Sequence, residues 1–308
     1  MSGAPSMEVR AMGLSFNSPV LCASGTFGYG REFAGLCDFS RLGGLVTKGV
    51  SLEPRAGNPP PRICETASGM LNSIGLQNVG LAAFIADKLP FLRDCGTRVL
   101  VNIFGETPED YVRCAEGLGG QRGVDALEVN ISCPNVEAGG IEFGVEPQMA
   151  GELVRQICGA TDLPVVVKLT PNVTDIVPIA RACVEAGADG LSLINTLKGM
   201  AIDARTGRPR LARRFGGLSG PAIKPVALRM VWQVAQAGLG VPVLGIGGIC
   251  TGEDAAEFLL AGATLVQVGT ANFIGPDAAA RTAMELERFC DEHWPDLPSV
   301  AGLAGRLA

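Results

Sequence analysis

Eight short β-rich runs recur along the whole chain, and their alternation with helical segments is the feature that most limits what it can fold into. The runs are residues 19–24, 44–48, 98–104, 126–131, 164–169, 190–195, 241–245 and 265–269. Several are near-continuous apolar stretches, such as Val165-Val166-Val167, which suits parallel strands buried on both faces. Helical signals fill the gaps. Thr107-Pro108-Glu109-Asp110 supplies an N-cap, a proline at the first helical position and an acid at the third. Ile176, Ile179, Ala180, Cys183 and Val184 keep the helical period until Gly187, which predicts that Cys183 is core. Thr251-Gly252-Glu253-Asp254 opens another helix, with Ala255, Phe258 and Leu259 inward and Gly262 after it.

Eight strands alternating with helices over 308 residues predict a single (β/α)8 TIM barrel across 1–308. An open doubly wound sheet is the competitor, because strand number alone does not prove closure. Segment 51–92, rich in Pro and Gly at 54–61, exceeds a normal crossover and is expected to add loops over the C-terminal mouth; 197–219 is a second such insertion.

The net charge of −6 argues against a nucleic-acid or anionic-membrane surface. The first residues show no basic region followed by an apolar core, and no apolar run reaches the roughly 18 residues that span a bilayer. A cytoplasmic protein is the expectation. Ten cysteines are spread along the chain with no Cys-x-x-Cys pair, so neither a disulfide framework nor a metal site is expected. The lone histidine, His293, is expected at the surface beside Trp294. Ser–His chemistry and histidine-ligated metal have almost nothing to work with.

In a barrel, function collects where strands end. Here the ends are Ser24, Lys48, Asn102, Asn130, Lys168, Asn195-Thr196, Gly247-Gly248 and Gly269-Thr270, polar or glycine throughout. Two lysines at the ends of buried strands call for an anion or an electron-rich ring, since an unpaired buried charge is costly. Glycine turns closing the last two strands are where barrels hold phosphate, and Ser219-Gly220-Pro221 lies ahead of a helix that can approach the same group. The run Val129-Asn130-Ile131-Ser132-Cys133-Pro134-Asn135 ends an apolar strand in two amides bracketing a cysteine, then enters a glycine-rich loop at Gly139-Gly140. An accessible thiolate there can act as a base or nucleophile. A buried thiol before a turn is the bland alternative.

Five segments together resemble the dihydroorotate dehydrogenases, in order over nearly the whole chain: Asn72-Ser-Ile-Gly-Leu-Gln-Asn78, Asn130-Ile-Ser-Cys-Pro-Asn135, Ile194-Asn-Thr196, Gly217-Leu-Ser-Gly-Pro-Ala-Ile-Lys-Pro225 and Gly245-Ile-Gly-Gly-Ile249. The resemblance implies a flavin-bearing barrel that oxidises dihydroorotate to orotate in pyrimidine synthesis. Cys133 matches the cysteine base of the soluble class, taking the C5 proton while the C6 hydride passes to the flavin. The resemblance puts flavin mononucleotide (FMN) against Ser24, Lys48, Gly49, Asn102, Asn130, Lys168 and Ile194. It puts the phosphate on Gly220, Gly247, Gly248, Gly269 and Thr270. Substrate contacts would come from Lys48, Asn72, Ser73, Ile74, Gly75, Leu76, Asn130, Asn195 and Thr196, with Asn135. Ser73 departs from the Ala or Met more usual there.

Gly199-Met-Ala-Ile-Asp203 and Gly217–Met230 look most like the NAD-linked branch, in which a homodimeric barrel core joins a subunit carrying FAD and a [2Fe–2S] cluster in a heterotetramer. The cysteines here lack cluster spacing, and no G-x-G-x-x-G opens a strand–helix unit, so both would belong to the partner. Three other readings stay open: a self-sufficient fumarate-using homodimer, a flavin-free barrel isomerase or lyase for a phosphorylated metabolite, and a non-catalytic flavin carrier.

Overall fold

A computed structural model describes residues 5–132, 134–135 and 141–307. All eight predicted runs are strands: β1 Val20–Cys22, β2 Gly44–Val46, β3 Arg98–Ile103, β4 Ala126–Asn130, β5 Val165–Lys168, β6 Gly190–Leu193, β7 Val243–Ile246 and β8 Leu265–Val268. They pair in parallel and in sequence order, and β8 returns to β1 with Val266 opposite Val20 and Val268 opposite Cys22. The barrel is closed, which rejects the open sheet.

Helices Pro108–Leu118 (α1), Pro147–Cys158 (α2), Val177–Glu185 (α3), Lys224–Gln236 (α4), Gly252–Leu260 (α5) and Ala278–His293 (α6) wrap the outside. Segment 81–92 adds a further helical crossover interrupted by a π-turn at Phe84–Lys88. The first crossover departs from the expected pattern: it contains only the 3-10 turns Arg31–Phe33 and Phe39–Arg41, with Phe27 stacked on Phe33 at 3.9 Å. Thr107 and Thr251 each cap a helix reciprocally with the acid three residues on, Asp110 and Asp254. Cys183 is fully buried, as its apolar stripe requires. His293 is exposed, its ring centroid 4.7 Å from that of Phe289.

The N-terminal hairpin Val9–Ala11 with Leu14–Phe16 closes the bottom of the barrel. Arg98 Nε, on the first residue of β3, donates to Ser15 O at 2.9 Å, and Met12 lies against Gly190, the first residue of β6. The mouth at the opposite end is therefore where the two long insertions sit. They are more ordered than the expected loops. Leu197–Gly199, Gly216–Ser219, Gly69–Asn72 and Ile63–Thr66 form one four-stranded antiparallel sheet in that order, with Asn72 opposite Gly217. Among the described residues no helix is long and apolar enough to cross a membrane.

Candidate active site at the barrel mouth

Side chains at the ends of β1 to β6 and glycine turns at the ends of β7 and β8 share one rim. Lys168, the last residue of β5, is 5 % exposed. Its Nζ donates to Ser24 Oγ, just past β1, at 3.0 Å and reaches Glu128 Oε1 at 3.4 Å. Two of the ammonium's three donors are thus engaged. The partner Glu128 corrects the sequence reading, which left Lys168 to be balanced by a ligand and passed over Glu128 inside an apolar strand. Glu128 lies on β4 with 0 % exposure. It also accepts from Asn102 Nδ2 at 2.8 Å, Gln267 Nε2 at 2.8 Å and Ser192 Oγ at 3.0 Å. Burial alone would push this carboxyl up, but Lys168 and the three neutral donors hold it below the usual carboxylate range.

Lys48 lies two residues past β2 and is half-buried; its N–H donates to Gly28 O at 2.8 Å. Burial first, and then the nearby Arg62 charge, lower its pKa from the ordinary lysine value. A Cβ on Gly49 would crowd its neighbours, standing 3.0 Å from Asn102 Oδ1 and from the Phe104 ring. Ile194, just past β6, is buried.

The amides converge as expected. Asn130 Oδ1 accepts from Ser132 N at 3.1 Å and from Asn195 Nδ2 at 3.2 Å, and Asn195 Nδ2 also donates to Ser132 Oγ at 3.1 Å. Asn195 Oδ1 then accepts from Thr196 N at 2.8 Å. The 72–76 segment reaches this cluster through the inserted sheet: Asn72 Nδ2 donates to Gly217 O at 3.3 Å, and a Cβ on Gly217 would collide with Thr196 Oγ1. Asn58 shapes the same segment, its Nδ2 donating to Ser73 O and Ser73 Oγ, both at 3.1 Å, and its N–H to Ile74 O at 2.9 Å. Gly75 and Leu76 follow with φ of +73° and +57°. For a leucine this left-handed backbone is strained, which is more common at functional sites than elsewhere.

The sequence reading missed Asn58, Glu128, Ser132, Asn172, Ser192 and Gln267. Asn172 Nδ2 donates to Thr196 O at 3.1 Å; its place just after the end of β5 was a usable signal. Cys133, the expected base, lies outside the described residues, as does the Gly139-Gly140 loop. The backbone flanking that loop is a hairpin stem, Pro134–Asn135 against Ile141–Glu142, and Glu142 Oε1 pairs with Lys198 Nζ at 2.6 Å. Several other cysteines are poor bases: burial pushes Cys114 and Cys183 up to about 12.

The glycine turns meet as a cradle. Gly220, Gly247 and Gly248 have φ of +94°, +132° and +80°. A Cβ on Gly248 would lie 2.7 Å from Lys224 Cβ and 3.1 Å from Gly220 O, and one on Gly220 3.5 Å from Thr270 Cγ2. Thr270 Oγ1 donates to Ser219 Oγ at 2.9 Å. The N-terminus of α4 opens here, so backbone dipoles favour an anion. Lys224 does not serve it: its Nζ is committed to Asp254 at 2.6 Å and Glu257 at 2.9 Å. The cradle and the cation–amide floor together fit a flat polar ring with a phosphate tail. Among the described residues no group of three or more potential ligands is placed to hold a metal.

The sequence model of dihydroorotate dehydrogenases matches residues 6–290. The chain is 59 % identical over 305 residues to the "Dihydroorotate dehydrogenase B (NAD(+)), catalytic subunit" of Geotalea uraniireducens, covering 99 % of each. The protein of that name from Geobacter sulfurreducens is 59 % identical over 299 residues, covering 97 % of this chain and 98 % of the relative. The one from Geobacter sp. strain M21 is 57 % identical over 303 residues, covering 98 % of each. With its closed barrel, its amide-rimmed mouth and this likeness along nearly its full length, the chain belongs to the dihydroorotate dehydrogenase family.

Proposed function

We propose that this chain oxidises dihydroorotate to orotate for pyrimidine synthesis, as the catalytic subunit of an NAD-linked enzyme, with one FMN held across the barrel mouth. The observation that carries the reading is one rim presenting a buried cation, a cluster of amides and a glycine cradle, in a chain 57–59 % identical to proteins of that name. Gly220, Gly247, Gly248, Gly269 and Thr270 would hold the phosphate. Ser24, Lys48, Gly49, Asn102, Asn130, Lys168 and Ile194 would hold the ring. When bound, the flavin supplies the two-electron acceptor.

Asn72 to Leu76, Asn130, Asn195 and Thr196, with Lys48 and Asn135, would orient the substrate, whose ring alternates N–H and C=O groups that amide side chains can pair with. Cys133 would take the proton from C5. Lys168 presents a fixed positive charge where negative charge develops. The chain has no dinucleotide fingerprint and no cluster spacing among its cysteines, so delivery to NAD calls for a partner subunit with its own redox groups.

Anaerobic mixing with dihydroorotate tests this directly. The flavin-loaded chain should bleach, should reduce artificial acceptors but not NAD, and should gain NAD reduction when the partner is added. A folded protein unable to take up FMN would remove the reading; rapid turnover of the isolated chain with fumarate would move it to the fumarate-using branch.

A further inference from the structure

We propose that Glu128 is a positioning residue for the flavin site: a fixed carboxylate below the mouth that holds the Lys168 ammonium and turns the Asn102 amide. The inference rests on the FMN reading above. Its ground is the order of the contacts. Three neutral donors hold Glu128 more closely than Lys168 does: Asn102 and Gln267 at 2.8 Å and Ser192 at 3.0 Å, against 3.4 Å for the ammonium. These donors stand on β3, β8 and β6, so the carboxylate is pinned by strands on both sides of its own. Lys168 adjusts to a charge already in place, stretched between it and Ser24 Oγ.

The two amides beside Glu128 are oriented by it. An ionised carboxylate only accepts, so both neighbouring amides must turn their NH2 groups toward it. Gln267 does so even though its Oε1 is left buried without a partner among the described residues. Asn102 does so and thereby leaves its Oδ1 on the Gly49 side, 3.0 Å from where a Cβ on Gly49 would be. Glu128 thus settles which groups the site offers: a carbonyl oxygen from Asn102 and an ammonium from Lys168. It also sets how strong that ammonium's field is, because a buried negative charge close by offsets part of it.

Glu128→Gln keeps the shape and removes the charge. Reduced flavin carries more negative charge than oxidised flavin, so it gains from the uncompensated Lys168. Loaded with FMN and titrated at pH 8, where the reduced ring has lost its N1 proton, the variant should bind reduced over oxidised flavin about tenfold better than wild type, which raises the midpoint potential by about 30 mV. Lys168→Met should lower it. Glu128→Asp, which retains the charge but withdraws it by one methylene, should give a smaller rise, and it replaces the Gln variant should that one not fold. A folded, FMN-loaded Gln or Asp variant with the wild-type potential overturns the proposal while leaving the FMN reading intact. Wild-type protein that takes up no FMN overturns both.

Discussion

The two halves of the barrel mouth recognise in different ways. On the β7–β8 side the rim is backbone: paired glycine turns, the start of α4, and one cation, Lys224, already committed to Asp254 and Glu257. On the β1–β6 side the rim is side chain: Lys168, Asn130, Asn195 and Thr196, each held by a named partner. Backbone can cradle a phosphate of any compound, but it cannot distinguish one ring from another. Side chains can. On the function proposed above, the glycine half would anchor the phosphate, while the side-chain half would hold the ring and select what is oxidised.

Three substitutions would break or sharpen that division. The largest effect is expected at Cys133. Replacing it with Ser exchanges a thiol for a far weaker base, so bleaching by dihydroorotate near pH 7 should slow by roughly 10²- to 10⁴-fold and partly recover as pH rises. Bound FMN should be unchanged; a wild-type bleaching rate in stopped flow would make Cys133 mere packing. Next is Gly248→Ala. Its φ of +80° and a Cβ 2.7 Å from Lys224 Cβ cost about 2–3 kcal/mol, relieved by moving the turn out of the cradle. The Kd for FMN should rise roughly 30- to 150-fold, while the fully loaded fraction bleaches at the normal rate. The smallest is Asn195→Ala, which removes hydrogen bonds to Asn130 and Ser132. Each is worth about 1 kcal/mol net and only part of that loss reaches the substrate, so KM for dihydroorotate should rise about tenfold with FMN retention intact. If Gly248→Ala changed substrate KM, or Asn195→Ala released the flavin, the two halves would not be separable.

The barrel was legible because its signals are local. Val165-Val166-Val167 announces a strand buried on both faces, and Thr107 with Asp110 announces a helix start, without reference to any distant residue. The glycine turns were legible for the same reason. The inserted sheet was not: Asn72 pairs with Gly217 across 145 residues, and nothing in either short run names the other. Glu128 was hidden differently. Within Ala126-Leu127-Glu128-Val129 it reads as an exception to an apolar pattern, and its meaning depends on Asn102, Lys168, Ser192 and Gln267 arriving from four other strands. Buried charge is read from its partners, and the partners here are set by closure.

The pairing of Asn72 with Gly217 also bears on how the protein is made. Strand Gly69–Asn72 is synthesised 145 residues before the residue that covers its open edge. At about 5–20 residues per second this leaves that edge exposed for roughly 7–30 s on the ribosome, in a state that invites pairing with other chains. The glycine turn at 247–248 emerges later still, and Thr270 after that. The cofactor cradle is therefore completed only when nearly the whole chain is out. On the FMN reading, flavin capture would follow synthesis of this region, and the early hairpin keeps one strand edge unpaired until Gly216–Ser219 reaches it.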